Sequence, residues 1–421
     1  MVAGMRTGLR ARGEHRGVRW SVIITALFLV GGACVAAYLL WNGEGVRRIY
    51  VSLPVYGPMG RDMQTTHMRD AVRMALAERD SKVDGVTIKP VFVDDSTQKL
   101  GEFSVAATAR NARRAAEDGK AIGYIGDFNS GATAISISIL SAAGIPQISP
   151  ASTAVGLTSK GRDRGSADPT EPNTYYLHDR TFVRVAPNDQ VQADALTALM
   201  IRDHCTHLAI INDGGYYGVR LAREMRRSAK IGGLTVAFNA TIGTRADTLP
   251  GKAASRGSDC FLYSGALNDR TVDLYTQVGK ALAPDAKLYA PDGLAAMDFT
   301  ANLDADIAKR VKLLQPGRER KGLGARFIHG FRRTHDGADP EPYAVYAYES
   351  MLLMLDAIDR AGAGAGARAG IVNALFDTSR RRSAIGTYSI NEDGDTSKRN
   401  YDVYSIRSGD LTHLRTITTS P

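Results

Sequence analysis

The segment 124–158, YIGDFNSGATAISISILSAAGIPQISPASTAVGLT, holds the residues best placed to do chemistry. Strand-like YIGD runs into Phe128 and Asn129, and Ser130 opens a helical stretch. A Ser or Asn there caps free backbone N–H groups, and a helix N-terminus favours an anion. Further on, ISPAST (148–153) ends the next strand-like run and brings Ala151 and Thr153 to the same sheet edge. In open α/β sheets, ligands bind outside the carboxyl ends of the strands, where both pieces fall. Small hydroxyls and backbone amides in that position suit a bound carboxylate.

Signatures of catalysis are missing from the sequence. It contains no G-x-S-x-G, H-E-x-x-H, C-x-x-C or G-x-x-x-x-G-K-[ST]. The run GAGAGARAG (362–370) follows a helical stretch rather than a strand, so it reads as a flexible connection and not as a dinucleotide fingerprint. NEDGD (391–395) has its Gly in the wrong place for a calcium loop and reads as a hairpin turn within 386–410. No metal-ligand spacing is present, and no cofactor is expected. Cys34 lies in an apolar run, which leaves Cys205 and Cys260 able to pair once outside the cytosol. Whether they are bridged is left open. Cys205 stands three residues before Leu208 while Cys260 abuts Phe261, an offset that could separate them along adjacent strands.

The surrounding elements alternate. Strand-like IYVSLPV (49–55), TIKPVFVDD (87–95), AIGYIGD (121–127) and IPQIS (145–149) are separated by helical stretches at 63–80, 103–119 and 131–144. After a polar loop at 158–180 the alternation restarts, with LAIIND (208–213), a helix over 216–229, LTVAF (234–238), CFLYSG (260–265) and KLYAPDG (287–293). Such alternation predicts parallel sheets with crossover helices, here in two lobes. A long apolar helix is expected at 343–362.

At 421 residues the chain is too long for a single core. Its net charge of +9 is concentrated at the start, where five arginines (Arg6, Arg10, Arg12, Arg16, Arg19) face one Glu14. The rest carries no basic stripe interleaved with aromatics, which argues against nucleic-acid binding. Trp20 to Trp41 is 22 residues without a charge, long enough to span a bilayer. Arginines before it place the N-terminus in the cytosol and the remainder on the extracellular or periplasmic side. The competing reading is a lipoprotein cleavage site at Gly32-Ala33-Cys34.

YIGDFNSGAT followed by ISPAST resembles the first lobe of the branched-chain amino-acid (Leu/Ile/Val-type) solute-binding proteins of ABC transporters. TFVRVAPND (181–189), AIINDGGYYGVRLA (209–222), CFLYSG, YAPDG (289–293), DPEPYAVYAYES (339–350) and GTYSINEDGD (386–395) follow in the family's order, so the resemblance covers about 48–410. It implies a type I periplasmic-binding fold, two doubly wound parallel-sheet lobes joined by a three-crossing hinge and here preceded by one transmembrane helix. The expected parts are a basic arm (1–19), an anchor (20–41), lobe 1 (48–183 and 315–385) and lobe 2 (184–314 and 386–421).

The implied function is non-enzymatic capture of an amino-acid-like ligand between the lobes for an ABC permease. The same clamp would also serve an extracellular ligand-sensing receptor. Matching the family's motifs, Ser130 and Thr153 would hold the ligand carboxylate, Ala151 would take part through its backbone, and Asp292 would meet the ammonium. Tyr217 and Tyr343 would cover the ligand. Phe128 and Asn129 stand where the family often has an apolar or Cys residue, and Ala266 where it has Tyr. The family's first-lobe disulfide is absent, since its positions are Thr97 and Asn129.

Overall fold

A computed structural model describes residues 45–99, 102–159, 174–176, 179–243, 246–364 and 366–420. The apolar span 20–41 lies outside them, and among the described residues no helix is long and apolar enough to cross a membrane.

The chain first lays down β1 (Val46–Ser52), α1 (Met63–Ala77), β2 (Val86–Val93), α2 (Val105–Glu117), β3 (Ala121–Ile125), α3 (Ser130–Ala142), β4 (Gln147–Ser149) and β5 (Phe182–Arg184). These strands form one sheet in the order β5-β4-β3-β1-β2, with the short strand Lys82–Val83 at its edge. The pairs among β5, β4, β3 and β1 are parallel. α1 is fixed by Met68, Ala71, Val72, Ala75 and Leu76, a helical-period stripe that is fully buried. Its start is set by Asp62, whose carboxylate accepts the Thr65 N–H at 3.1 Å.

After β5 the chain crosses into α4 (Asp189–Arg202), β6 (His207–Asn212), α5 (Tyr216–Ile231), β7 (Thr235–Thr241), β8 (Cys260–Ser264), α6 (Thr271–Ala281), β9 (Lys287–Ala290) and β10 (Val311–Pro316). It then returns to the first lobe for α7 (Gly322–Thr334), α8 (Ala344–Ala361) and α9 (Ala367–Phe376), and finishes with β11 (Asn400–Arg407) and β12 (Asp410–Thr418). The second sheet runs β7-β6-β8-β9-β10-β11-β12. Its first five strands are parallel, but β11 is antiparallel to both neighbours, so this lobe departs from an all-parallel sheet. A chain that re-enters after its last crossover helix, with only a two-residue turn between its last strands, can add them only as a hairpin.

α8 is apolar almost all round because it lies between neighbours on several sides. Met351, Leu353, Met354, Leu355 and Ile358 join Ile49, Val51, Met68, Phe327 and Phe331 in one core. Each such side chain contributes about 1.5–3 kcal/mol on burial. Tyr388 and Ile390 belong to this core as well, so the third crossing falls between Ile390 and Asn400, beyond the 385/386 boundary expected from the sequence. Segment 386–410 is not one hairpin either. Gly386–Tyr388 pairs backwards with Arg381–Ser383, NEDGD closes a single bridge between Ile390 and Thr396, and the long hairpin is β11–β12. Its turn, Ser408-Gly409, has φ of +51° and +86°, as a two-residue turn matched to strand twist requires.

Cys205 and Cys260 form a disulfide with Cα atoms 5.9 Å apart. The offset along the strands exists, since Leu208 pairs with Cys260. His204 cancels it by adopting φ +62°, which turns the chain so that Cys205 lies back over the end of β8.

Candidate functional site

The carboxyl ends of β3 and β4 build one wall. Asn129, not Ser130, is the N-cap of α3, and its side chain makes no capping bond. Ser130, the first helical residue, instead accepts the N–H groups of Thr153 and Ala154 on its Oγ, each at 3.2 Å. That pair of bonds brings Ser130, Ala151 and Thr153 together on one buried surface. Behind it the fully buried Arg184 donates to the Ser152 and Ala154 carbonyls at 3.1 and 2.7 Å and to Asp395 Oδ1 at 2.6 Å. The NEDGD turn therefore acts as a brace for this wall. Phe128 packs edge-on against Tyr343 with ring centroids 5.8 Å apart, and Asn129 stays half-buried beside it.

The opposite wall follows β9. Asp292, 2% exposed, opens a short 3-10 turn after Pro291. Tyr217 donates to Asp292 Oδ1 at 2.6 Å, and Tyr343 donates to Oδ2. Tyr217 comes from α5 of the same lobe, whereas Tyr343 precedes α8 of the first lobe, so the second bond crosses the cleft. Gly293 makes this arrangement possible, because a Cβ there would lie 2.9 Å from the Tyr217 ring. Burial raises the Asp292 carboxyl above its ordinary range, against the two phenol donors that favour its ionised form. Burial, followed by the charge of Asp292, also raises Tyr217 and Tyr343, which keeps both as proton donors.

Two further residues belong to this region although their positions carry no motif of their own. Asp189 starts α4 and is fully buried, with the Thr153 hydroxyl as its nearest side-chain donor among the described residues. Its pKa is pushed well up, first by burial and then by Asp292. Its backbone N–H donates to the Thr153 carbonyl at 2.8 Å, which links the two walls. Gln192, one turn later, accepts from Tyr217 at 3.2 Å while its Nε2 has no partner. The only advance signal was their place in TFVRVAPND and just after it.

The structure thus gathers Ser130, Ala151, Thr153, Tyr217, Asp292 and Tyr343 around one cleft, with Phe128 and Asn129 at its side. One wall offers hydroxyls and small residues; the other offers buried carboxyls whose pKa values burial raises. A buried carboxylate is stabilised by a cation that also donates hydrogen bonds.

A family model described as periplasmic binding protein matches residues 48–410. Among curated proteins, the Leu/Ile/Val-binding protein BraC3 of Rhizobium johnstonii is 23% identical over 292 residues, covering 68% of this chain and 73% of that protein. Leu/Ile/Val-binding protein homolog 2 of Brucella abortus is 22% identical, covering 90% of this chain and 96% of its own. Of solved structures, a leucine binding protein from Thermotoga maritima superposes with a TM-score of 0.74 at 18% identity, covering 88% of this chain and 99% of that one. A branched-chain amino-acid transporter substrate binding protein of Streptococcus pneumoniae, in complex with isoleucine, gives 0.72 at 19% identity over 89% and 100%.

Proposed function

Because the chain belongs to the periplasmic binding protein family, in its branched-chain amino-acid ABC transporter branch, we propose that it captures an amino acid or a close analogue between its lobes and delivers it to an ABC permease. The observation that carries the reading is Asp292, a carboxylate 2% exposed that accepts from Tyr217 of its own lobe and from Tyr343 of the other. A zwitterion fits both ends at once. Its carboxylate is received by the Ser130 and Thr153 hydroxyls and the backbone at Ala151, and its ammonium by Asp292, with the buried Asp189 carboxyl nearby. Tyr217 and Tyr343 shut the cleft, and Phe128 and Asn129 border the side chain of the ligand. Asn129 beside Phe128 favours a side chain with some polarity over a purely aliphatic one.

Ligand binding draws the lobes together because the bound molecule contacts both, shifting the open–closed equilibrium by its preference for the closed form. The apolar span 20–41 would hold the receptor at the membrane beside its permease. Calorimetric titration of the protein with the amino acids tests the capture step, and strongly weakened binding in Asp292→Ala with retained folding is the expected signature. Persistence in the membrane pellet after carbonate washing, at a mass showing no cleavage, tests the anchor; a modified N-terminal Cys34 would replace it with a lipid tether.

A further inference from the structure

Two carboxyl groups that the cleft chemistry does not use lie behind the first-lobe wall. Asp95 stands just past β2 and Asp127 just past β3, the two strands that flank β1. Both are 0% exposed, and their side chains lie within hydrogen-bonding reach of each other. Tyr124 donates to Asp127 Oδ1 at 3.0 Å, and the Ser52 and Ser136 hydroxyls also reach that carboxyl. Asp95 meets its own backbone N–H and the charge of Asp127.

The charges around the pair do not neutralise it. Asp94 adds like charge from the same strand end, its carboxylate accepting the Val55 and Ser96 N–H groups at 3.0 and 2.9 Å. Arg69 on α1 is a cation that acts on Asp95, but its guanidinium donates to the Leu53 and Val93 carbonyls. Tyr124 is held as a phenol, raised first by burial and then by Asp127. Two carboxyls in contact inside the fold resist ionising together, so one proton stays with the pair. Burial first, then Asp127, raises Asp95, and burial raises Asp127 as well.

The pair is joined to the ligand wall through one backbone unit. The Asp127 carbonyl accepts the Ser149 and Ser152 hydroxyls at 2.8 and 3.0 Å, and the Asp127 N–H donates to Thr133 Oγ1 at 3.3 Å. Thr133 and Ser152 share a hydrogen bond of 2.5 Å. Phe128, Asn129 and Ser130 continue the chain from Asp127, and Thr153 continues it from Ser152. Both segments of the wall therefore hang from a residue whose carboxyl shares the proton.

We propose that the Asp95–Asp127 pair is a proton-dependent fastener: one shared proton holds the first-lobe wall in its binding shape, and its loss drives the carboxylates apart and loosens Ser130 and Thr153. The proposal rests on the amino-acid reading only in taking that surface as a ligand wall.

Asp95→Asn in the full chain keeps a donor against Asp127 and removes the group that titrates. A carboxyl raised in the fold stabilises it fully below its unfolded value near 3.8, and that contribution is lost as pH climbs. The Tm of Asp95→Asn relative to the wild type should therefore rise by about 2 °C or more between pH 5 and pH 8.5. Hydrogen exchange of the amides in 128–133 and 149–154 should be faster in the wild type than in the variant at pH 8.5, and equal at pH 5. Asp127→Asn, which keeps the hydrogen bond of the pair from the other side, should move both readings the same way and decides the matter where Asp95→Asn folds poorly. A Tm difference that does not change with pH, or equal exchange at pH 8.5, would overturn the proposal. Neither measurement needs a ligand, so failure of the amino-acid reading leaves both standing.

Discussion

The two walls of the cleft solve opposite problems with opposite materials. On the first-lobe side, Ser130 Oγ is already spent on the backbone of Thr153 and Ala154, and Arg184 pins the carbonyls behind. These contacts are made within the wall itself. On the second-lobe side, Asp292 draws donors from two tyrosines, one of them on the other lobe, and Asp189 is fully buried beside it with its carboxyl pushed well up by burial and by Asp292. This wall is electrostatically unfinished. On the proposed function, one surface would hold one end of the ligand and the other would recruit its second end, which would tie closure to occupancy.

The contrast breaks most decisively at Asp292. Replacing it by Ala should weaken binding of any α-amino ligand by about 2–5 kcal/mol, because a buried ammonium loses its charged partner. Unchanged affinity in calorimetry would remove Asp292 from the site. The second lobe also holds the disulfide, closing a loop across 55 residues, so Cys260→Ala should lower stability by about 2–4 kcal/mol. Denaturant melts followed on each lobe should show the loss in the second lobe alone. A single unshifted transition would mean the bridge contributes nothing.

At the preformed wall the expected effect is smaller. Thr153→Val should cost about 1–3 kcal/mol of affinity, since one hydroxyl is lost and a polar ligand atom is left unmatched. A loss larger than that of Asp292→Ala would invert the assignment of the two walls.

Smallest is a pH effect at the lobe boundary. Burial pushes the Glu341 carboxyl up to about 7. An acid whose folded pKa is raised stabilises the fold while protonated and loses that contribution as pH climbs from its unfolded value near 4.5 through 7. Glu341→Gln should therefore raise the Tm by about 1–2 °C or more at pH 8 and leave it nearly unchanged at pH 4, below the unfolded value. Equal shifts at both pH values would exclude the ionised carboxyl as the cause.

Much of this was legible in the sequence. The strand–helix alternation placed β1 to β4 and β6 to β9 because short apolar runs between helical stripes admit few other folds. Ser130, Thr153 and Asp292 were singled out because each lies just beyond the carboxyl end of a strand. The helices at 189–202 and 322–334 were harder: α4 buries Asp189, Gln192 and Thr197, which interrupt its apolar stripe, and α7 contains Gly322, Gly324 and Gly330. Arg184 and Asp395 meet across 211 positions, and no local pattern announces such a pair. The bridging of Cys205 turned on one left-handed residue, His204, which strand counting cannot foresee.

The Tyr343–Asp292 bond has a further meaning in time. It joins the lobes directly, so they cannot part until it breaks, and breaking it returns a buried carboxylate to water. An ammonium that takes over Asp292 competes for the oxygen on which this latch is fastened. The same oxygen that would receive a ligand is thus also a point at which the two lobes are joined.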